Sequence, residues 1–229
     1  MNRIKCIAFD LDDTLLDTSQ LLVPAAARRA CQEMLAAGVE ATIEECLTWR
    51  AQMAAEHSHT EIFRLFIEQH ACPNPELALQ NALKAFYNPA VPSRLPLMEG
   101  AEQNLRELSK TFSLYLVTSG DPNAQMEKIN ALGISDYFKK IYIVDTFKDE
   151  TKQQAFVDIL SRENISPNEL LSIGNRLSQE IRHAKMCGSQ TCYFCYGEHV
   201  GERPVVREDY PDFTVYKHSE LGRMFSVEK

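Results

Sequence analysis

The stretch IKCIAFDLDDTL, residues 4–15, sets a short apolar run directly before a group of acidic residues. An apolar run of this length, at residues 4–11, predicts a β-strand that is buried on both faces, as the strands of parallel sheets are. Asp10 and Asp12 are two positions apart, so both can project near the strand end as the chain turns. With Asp13 they form a group of carboxylates that repel one another, and a divalent cation with fixed hydrogen-bond donors would balance this repulsion. The spacing alone also fits a solvated acidic turn.

The second half of the chain repeats the strand pattern. Short apolar runs predict further strands at residues 113–118, 140–144, 170–173 and 191–196. Helical patterns, bounded by proline or glycine, separate these strands at residues 122–133, 151–163 and 177–187. The alternation of strand and helix from residue 100 onward indicates an α/β fold with a doubly wound, Rossmann-like parallel sheet.

Residues 18–95 break this alternation, because they carry several helix-like segments and no clear strand. Thr42 and Glu45 fit a capping box at the start of one helix. We therefore expect an all-helical cap domain at 18–95, inserted into an α/β core of residues 1–17 and 96–229. An insertion after the first strand is expected over the carboxyl-end edge of the sheet, where open α/β folds bind ligands. The spacing of its aromatic residues predicts a helical core: Trp49, Phe63, Phe66, Phe86 and Tyr87.

The composition excludes several classes of protein. Of the 229 residues, 45% are hydrophobic and 24% are charged, which is ordinary for a soluble globular protein. The net charge of -8 argues against a broad nucleic-acid-binding surface, which needs clustered Lys and Arg. No apolar run approaches the roughly 20 residues of a membrane helix, and the N-terminus lacks a signal-peptide pattern. We expect a cytoplasmic monomer or homodimer without nucleic-acid or membrane partners.

The chain has seven cysteines, scattered through the predicted helices and strands. An odd number without regular spacing indicates reduced thiols. Cys192 and Cys195 form a CxxC pair, but a closed zinc site needs about four ligands, and this pair lies in a strand-like run. We therefore expect no metal or redox role for it.

Several motifs carry a resemblance to a known family. The pattern DxDxTL at residues 10–15 resembles the first motif of the haloacid dehalogenase superfamily. VTSGD at residues 117–121 resembles its second motif, in which Thr or Ser ends the second core strand. Residues 125–138 resemble a branch of phosphatase-like members with a helical cap, and residues 173–181 resemble the acidic fourth motif. The order of these motifs, each placed after a predicted strand, matches the family over most of the chain outside the insertion.

The resemblance implies the chemistry of a phosphatase. Asp10 would attack phosphorus and form an aspartyl-phosphate. Asp12 would protonate the leaving oxygen and then deprotonate the attacking water. Dehalogenating members lack an acid at this place, so Asp12 favours phosphoryl transfer. Thr118 would hydrogen-bond a phosphoryl oxygen, and Thr118, Ser119 and the family's lysine would together bind the phosphate group.

The lysine of the family stabilises the nucleophile and the phosphoryl oxygens. Two residues are candidates, because the sequence between Asp145 and Phe156 does not align uniquely with the family. Lys152 opens the helix that precedes the fourth motif and is preferred, and Lys148 is the alternative.

The resemblance also implies Mg²⁺ as the cofactor. Its ligands would be Asp10, the backbone carbonyl of Asp12, Asn175 and Glu180. Asn175 departs from the family's usual aspartate but still offers a carbonyl oxygen, a hard ligand that Mg²⁺ accepts. The loss of one negative charge is expected to weaken metal binding.

We therefore expect a Mg²⁺-dependent phosphatase that hydrolyses a small phosphorylated metabolite. A phosphotransferase, such as a sugar-phosphate mutase, would use the same aspartyl-phosphate and return the phosphoryl group to a sugar. A third reading is a catalytically weak binding protein on this fold, which Asn175 and the uncertain lysine support.

Overall fold

The computed structural model describes residues 4–54, 56–145, 148 and 150–226. It divides the chain into two compact units. One comprises the described residues up to Asp17 and from Pro92 onward, and the other spans Thr18–Val91. The sequence placed the second boundary at residue 95, four residues later. Within the described chain, every helix is too short or too polar to cross a membrane.

A parallel sheet of six strands forms the first unit, in the order β3-β2-β1-β4-β5-β6. Its strands are β1 Cys6–Phe9, β2 Ser113–Ser119, β3 Lys140–Val144, β4 Leu170–Gly174, β5 Gln190–Phe194 and β6 Phe213–Val215. The predicted α/β fold is therefore confirmed. The sixth strand was not predicted, because three residues at a sheet edge give too short a pattern to recognise.

The first strand lies in the middle of this sheet. All four of its residues are buried, as the apolar run predicted. Phe9 pairs with Leu116 on one side and with Ile173 on the other. The carboxyl ends of β1, β2 and β4 consequently meet at one edge, and the polar residues that follow each strand lie close together.

The α-helices of the described chain are short to medium in length. They are α1 Thr18–Leu21, α2 Val23–Ala36, α3 Ile43–Met53, α4 His59–Glu68, α5 Pro75–Tyr87, α6 Ala101–Leu108, α7 Pro122–Leu132, α8 Lys152–Glu163, α9 Arg182–Met186 and α10 His218–Ser226. Helix α7 begins with Pro122 after the N-cap Asp121 and ends at Leu132. The next residue, Gly133, has a φ of 66°, the left-handed conformation that glycine adopts without strain.

The predicted helix at residues 177–187 is only partly right. The segment starts as a π-helical turn at Leu177–Ile181 and becomes α-helical only in α9. The Glu202 carboxylate accepts hydrogen bonds from the backbone N–H groups of Leu177 and Ser178, which satisfies the start of this wide turn. Such turns are frequent at functional sites, and this one carries Glu180 into the interior.

The second unit is built from α1 to α5. Its core holds the predicted aromatic residues, with Phe63, Phe66 and Phe86 buried, and with Trp49 and Tyr87 packed against them. The capping box of α3 is present as predicted.

The cysteines of this unit differ from the expectation. Cys31 in α2 and Cys46 in α3 form a disulfide, so the prediction that all thiols are reduced is wrong at this pair. Their Cα atoms lie 6.0 Å apart because α2 and α3 pack side by side. Spacing along the chain does not reveal such proximity. Cys192 and Cys195 are free, as predicted.

Candidate active site

The predicted residues of the first, second and fourth motifs meet at the carboxyl-end edge of the sheet. Asp10 follows β1, Thr118 lies near the end of β2, and Asn175 follows β4. The Asp10 backbone N–H donates to the carbonyl of Ile173 over 2.8 Å, which fixes Asp10 beside the end of β4. All three residues are buried. These three residues therefore form a buried polar group at the edge of an otherwise apolar sheet.

One lysine joins two of the predicted acids. The Lys152 ammonium donates to Asp10 Oδ1 over 2.6 Å and also to Glu180 Oε1. The side chains of Asp10 and Lys152 are only 6% and 3% exposed. Lys148, the alternative, is 70% exposed and pairs with Asp145 over 3.1 Å. Only Lys152 of these two candidates reaches Asp10.

Burial and the neighbouring charges together shift the pKa values of Asp10 and Lys152. Burial raises the pKa of the Asp10 carboxyl, and the nearby Glu180 and Asp12 raise it further, while Lys152 opposes the rise. Burial disfavours the charged form of Lys152, but Asp10 and Glu180 more than offset this, so the pKa of Lys152 lies above its ordinary value. Lys152 therefore stays cationic, and its charge is fixed against the proposed nucleophile.

Asp12 belongs to a second polar group. Lys128 Nζ lies 2.7 Å from Asp12 Oδ1, and Gln125 Nε2 donates to Asp12 Oδ2 over 2.8 Å. Both donors come from α7, which follows the second motif. In the sequence analysis, these two residues belong to the segment that resembles a branch of the family, and no role was predicted for either. A glutamine and a lysine on one helical face usually indicate a solvated surface, so the pattern gave no signal of this contact.

Gln125 also determines the role that Thr118 can take. Its Nε2 donates to Thr118 Oγ1 over 2.8 Å and to the carbonyl of Ser119 over 2.6 Å. Thr118 is the acceptor in this contact, so its own hydroxyl hydrogen is left to donate to another oxygen. A phosphoryl oxygen at the sheet edge would be a suitable acceptor.

The fourth motif supplies an amide and a carboxylate. The Asn175 side chain donates from Nδ2 to the carbonyl of Tyr196 over 3.4 Å, which leaves its Oδ1 as the acceptor end. Glu180 Oε2 accepts the backbone N–H of Arg176 over 2.9 Å. Gly174 leaves space for Glu180, because a Cβ at Gly174 would lie 2.3 Å from Glu180 Cγ. The close approach of Glu180 to the strand end requires glycine at this position.

The chemistry of this edge suits a hard cation. The carboxyl groups of Asp10, Asp12 and Glu180 face the two lysines Lys152 and Lys128. The oxygen donors are those that Mg²⁺ prefers. Within the described residues, no three His, Cys, Asp or Glu side chains converge as in a site built from such residues alone. The proposed ligand set is instead mixed, because it includes an amide oxygen and a backbone carbonyl.

Two further contacts brace the loop after β1. Asp13 adopts a φ of 53°, and a Cβ at Gly197 would lie 2.2 Å from Asp13 Oδ2, so the loop after β5 packs tightly on it. On the other side, His218 Nε2 donates to the carbonyl of Thr14 over 2.8 Å, while Asn104 Nδ2 donates to His218 Nδ1 over 3.2 Å. His218 is 1% exposed. Sequence reasoning missed both contacts, which join distant parts of the chain.

The chain is similar in sequence to known hydrolases. The model of the haloacid dehalogenase-like hydrolases matches residues 7–194. A glyceraldehyde 3-phosphate phosphatase from Pyrococcus furiosus is 30% identical, with 99% of this chain and 94% of that protein covered. A phosphoglycolate phosphatase from Vibrio vulnificus is 27% identical over 96% of this chain and 95% of its own.

A solved structure shares the fold. The HAD-hydrolase YfnB from Bacillus subtilis, whose crystal structure is bound to magnesium, has a TM-score of 0.67 and 22% identity. The comparison covers 99% of this chain and 100% of that chain. At 22% sequence identity, this similarity shows a shared fold and nothing further.

Proposed function

The chain belongs to the family of haloacid dehalogenase-like hydrolases, as an enzyme that hydrolyses phosphate monoesters, and we propose that it does so with Mg²⁺ and a phosphorylated Asp10. One observation carries this proposal: Asp10 is paired with a buried lysine, while Asp12, two residues on, is held by separate donors. The two carboxylates therefore have different surroundings, as a nucleophile and an acid–base group require.

In the first step, an Asp10 carboxylate oxygen attacks phosphorus, and the bond between phosphorus and the ester oxygen breaks. Asp12 gives its proton to the leaving oxygen, so an alcohol departs and Asp12 becomes a carboxylate. The Thr118 hydroxyl and the Lys152 ammonium donate to the phosphoryl oxygens, where negative charge is concentrated. Ser119, which follows Thr118, is proposed to line the same phosphate site.

In the second step, water attacks the phosphorus of the Asp10 ester. Asp12 takes a proton from that water, the bond between Asp10 and phosphorus breaks, and inorganic phosphate leaves. Asp12 regains its proton and Asp10 its charge, so the enzyme returns to its starting state. Lys152 enters the reaction as an ammonium, because Asp10 and Glu180 hold its pKa above the ordinary value.

The residues that would hold Mg²⁺ are Asp10, Asn175 and Glu180, with the backbone carbonyl of Asp12. A bound Mg²⁺ supplies positive charge that reduces repulsion between the acids and an anionic phosphate. Asn175 contributes its Oδ1, which its hydrogen bond to the Tyr196 carbonyl leaves as the acceptor.

The proposed substrates are small phosphate monoesters. Relatives named for glyceraldehyde 3-phosphate and phosphoglycolate support esters of two or three carbons. A mutase would need an acceptor sugar to complete its turnover. Phosphate release from such esters in the absence of an acceptor sugar would distinguish a hydrolase from a mutase.

Purified protein tests this proposal directly. It should release phosphate from 4-nitrophenyl phosphate in Mg²⁺, and activity should be lost in excess chelator and return with added Mg²⁺. Ca²⁺ should restore little, because it prefers longer bonds and more ligands than the compact octahedron of Mg²⁺. A panel of two- and three-carbon phosphate esters would then identify the preferred substrate. Full activity in chelator, or no hydrolysis of any ester, would contradict the proposal.

A further inference from the structure

A second lysine, distinct from Lys152, contacts the first motif. Lys128 and Gln125 lie one turn apart on α7 and reach the two different oxygens of the Asp12 carboxylate. Counted over the whole residue, Lys128 is 8% exposed and Gln125 is 2% exposed. Their neighbour Glu127 is exposed, so α7 turns its other charged side chain to solvent and these two inward.

Burying a lysine in this way contributes little to the stability of a fold. Removing an ammonium from water costs several kcal/mol, which the attraction to one carboxylate only roughly offsets. An apolar side chain at residue 128 would fill the same space without that cost. A role for the pair in the reaction explains its presence better than a role in folding.

The contacts of Gln125 connect Asp12 to the phosphate site. The same Nε2, with its two hydrogens, lies within hydrogen-bond distance of Asp12 Oδ2, Thr118 Oγ1 and the carbonyl of Ser119. Donors on both oxygens restrict the rotation of the Asp12 carboxyl group about its side-chain bonds. Asp12 is thereby held at a constant position relative to the residue that would bind the phosphate.

We propose that Lys128 and Gln125 are positioning residues, which hold the Asp12 carboxyl group where it can reach both the leaving oxygen and the attacking water. This inference rests on the proposed function, because it assigns Asp12 the proton transfers described above. Lys128 keeps its own protons in both steps, so the balance of bonds and protons is unchanged. Positioning of this kind is worth a large share of general acid catalysis, which contributes about 10²–10⁴-fold.

Variation of the leaving group tests the proposal. 4-Nitrophenolate leaves without a proton, whereas an alkoxide needs one. We expect Lys128→Met to lower kcat/KM for an alkyl phosphate about tenfold more than for 4-nitrophenyl phosphate. Gln125→Met should shift the ratio in the same direction, and it serves as the second variant if Lys128→Met does not fold. Lys110→Met, at an exposed lysine paired with Glu107 on α6, is the matched control and should leave the ratio unchanged.

The outcomes separate this proposal from the proposed function. A wild-type protein that hydrolyses none of the phosphate esters would overturn both. An active wild type, with folded variants that lose equal activity on both esters or lose none, would overturn only the positioning role. A selective loss on the alkyl ester supports it, because a merely structural defect would lower both values alike.

Discussion

The two carboxylates of the first motif differ in how deeply their lysines enclose them. In the first pair, the side chains of Lys152 and Asp10 are 3% and 6% exposed. In the second pair, the side chains of Lys128 and Asp12 are 10% and 29% exposed. The deep pair suits a nucleophile that is held beside a fixed positive charge, because charges interact strongly where water is excluded. The shallow pair leaves Asp12 accessible. A group that exchanges protons with a leaving alcohol and with water needs such access.

The largest effect is expected when the deep pair loses its carboxylate. Asp10→Asn is nearly isosteric but is a poor nucleophile, so turnover should fall by several orders of magnitude. The fold should persist, because Glu180 remains to pair with Lys152. Phosphate release and thermal unfolding, measured on the same preparation, check both expectations. Near-wild-type activity in the folded variant would refute the nucleophile assignment.

Removal of the deep cation should come next in size. Lys152→Met leaves Asp10 and Glu180 buried without their ammonium, so we expect a loss of about 3–5 kcal/mol of stability and about 10²–10³-fold in kcat. Added Mg²⁺ should recover part of the stability, since it would face the same carboxylates. Lys148→Met is the matched control four residues away, and the loss of its solvent-exposed pair with Asp145 should change stability little. Equal effects in the two variants would show that the burial of Lys152 does not matter.

A smaller effect is expected from a charge added beside the deep pair. Asn175→Asp places a carboxylate where the family usually has one, so Mg²⁺ should bind several-fold more tightly. The change also loses the hydrogen bond to the Tyr196 carbonyl and increases repulsion toward an anionic phosphate, so KM should rise. Titration of Mg²⁺ against both proteins at fixed pH and salt is the measurement. Equal or weaker binding would mean that residue 175 does not face the metal.

The smallest effect concerns the loop that both carboxylates share. Burial lowers the pKa of His218 below its ordinary value of 6.5, although its hydrogen bond to the Thr14 carbonyl opposes this. The folded state thus favours neutral His218. Its contribution to stability is complete above the ordinary pKa and is lost as the pH falls toward the lowered value.

His218→Gln tests this linkage. The variant should be less stable by about 1–3 kcal/mol near pH 7, because buried polar groups lose their partner. Its stability should then fall less than that of the wild type between about pH 7 and pH 5, because no histidine remains to titrate there. Denaturant unfolding at several pH values checks both statements. Parallel curves for the two proteins would rule out His218 as the titrating group.

Short-range patterns predicted the part of the site that lies at strand ends. The apolar run before Asp10 predicted β1, and a strand buried on both faces must belong to a covered sheet. Once the strands are parallel, the residues after each carboxyl end meet at one edge. This is why Asp10, Thr118 and Asn175 could be grouped before the structure was known. The resemblance to the family suggested Lys152, but the sequence alone left Lys148 open.

Periodicity and strand-end placement are local properties of the chain, so the α/β class, the helical insertion and the acids of the first motif could be predicted from the sequence. The contacts between distant side chains became visible only in the tertiary structure. Lys152 reaches Asp10 across 142 positions, Gln125 reaches Asp12 across 113, and His218 reaches Thr14 across 204. The tertiary structure likewise revealed the disulfide, the sixth strand and the π-helical turn. Contacts at such separations depend on how helices pack on the sheet, and the local pattern of a lysine or histidine does not show whether that packing will bury it.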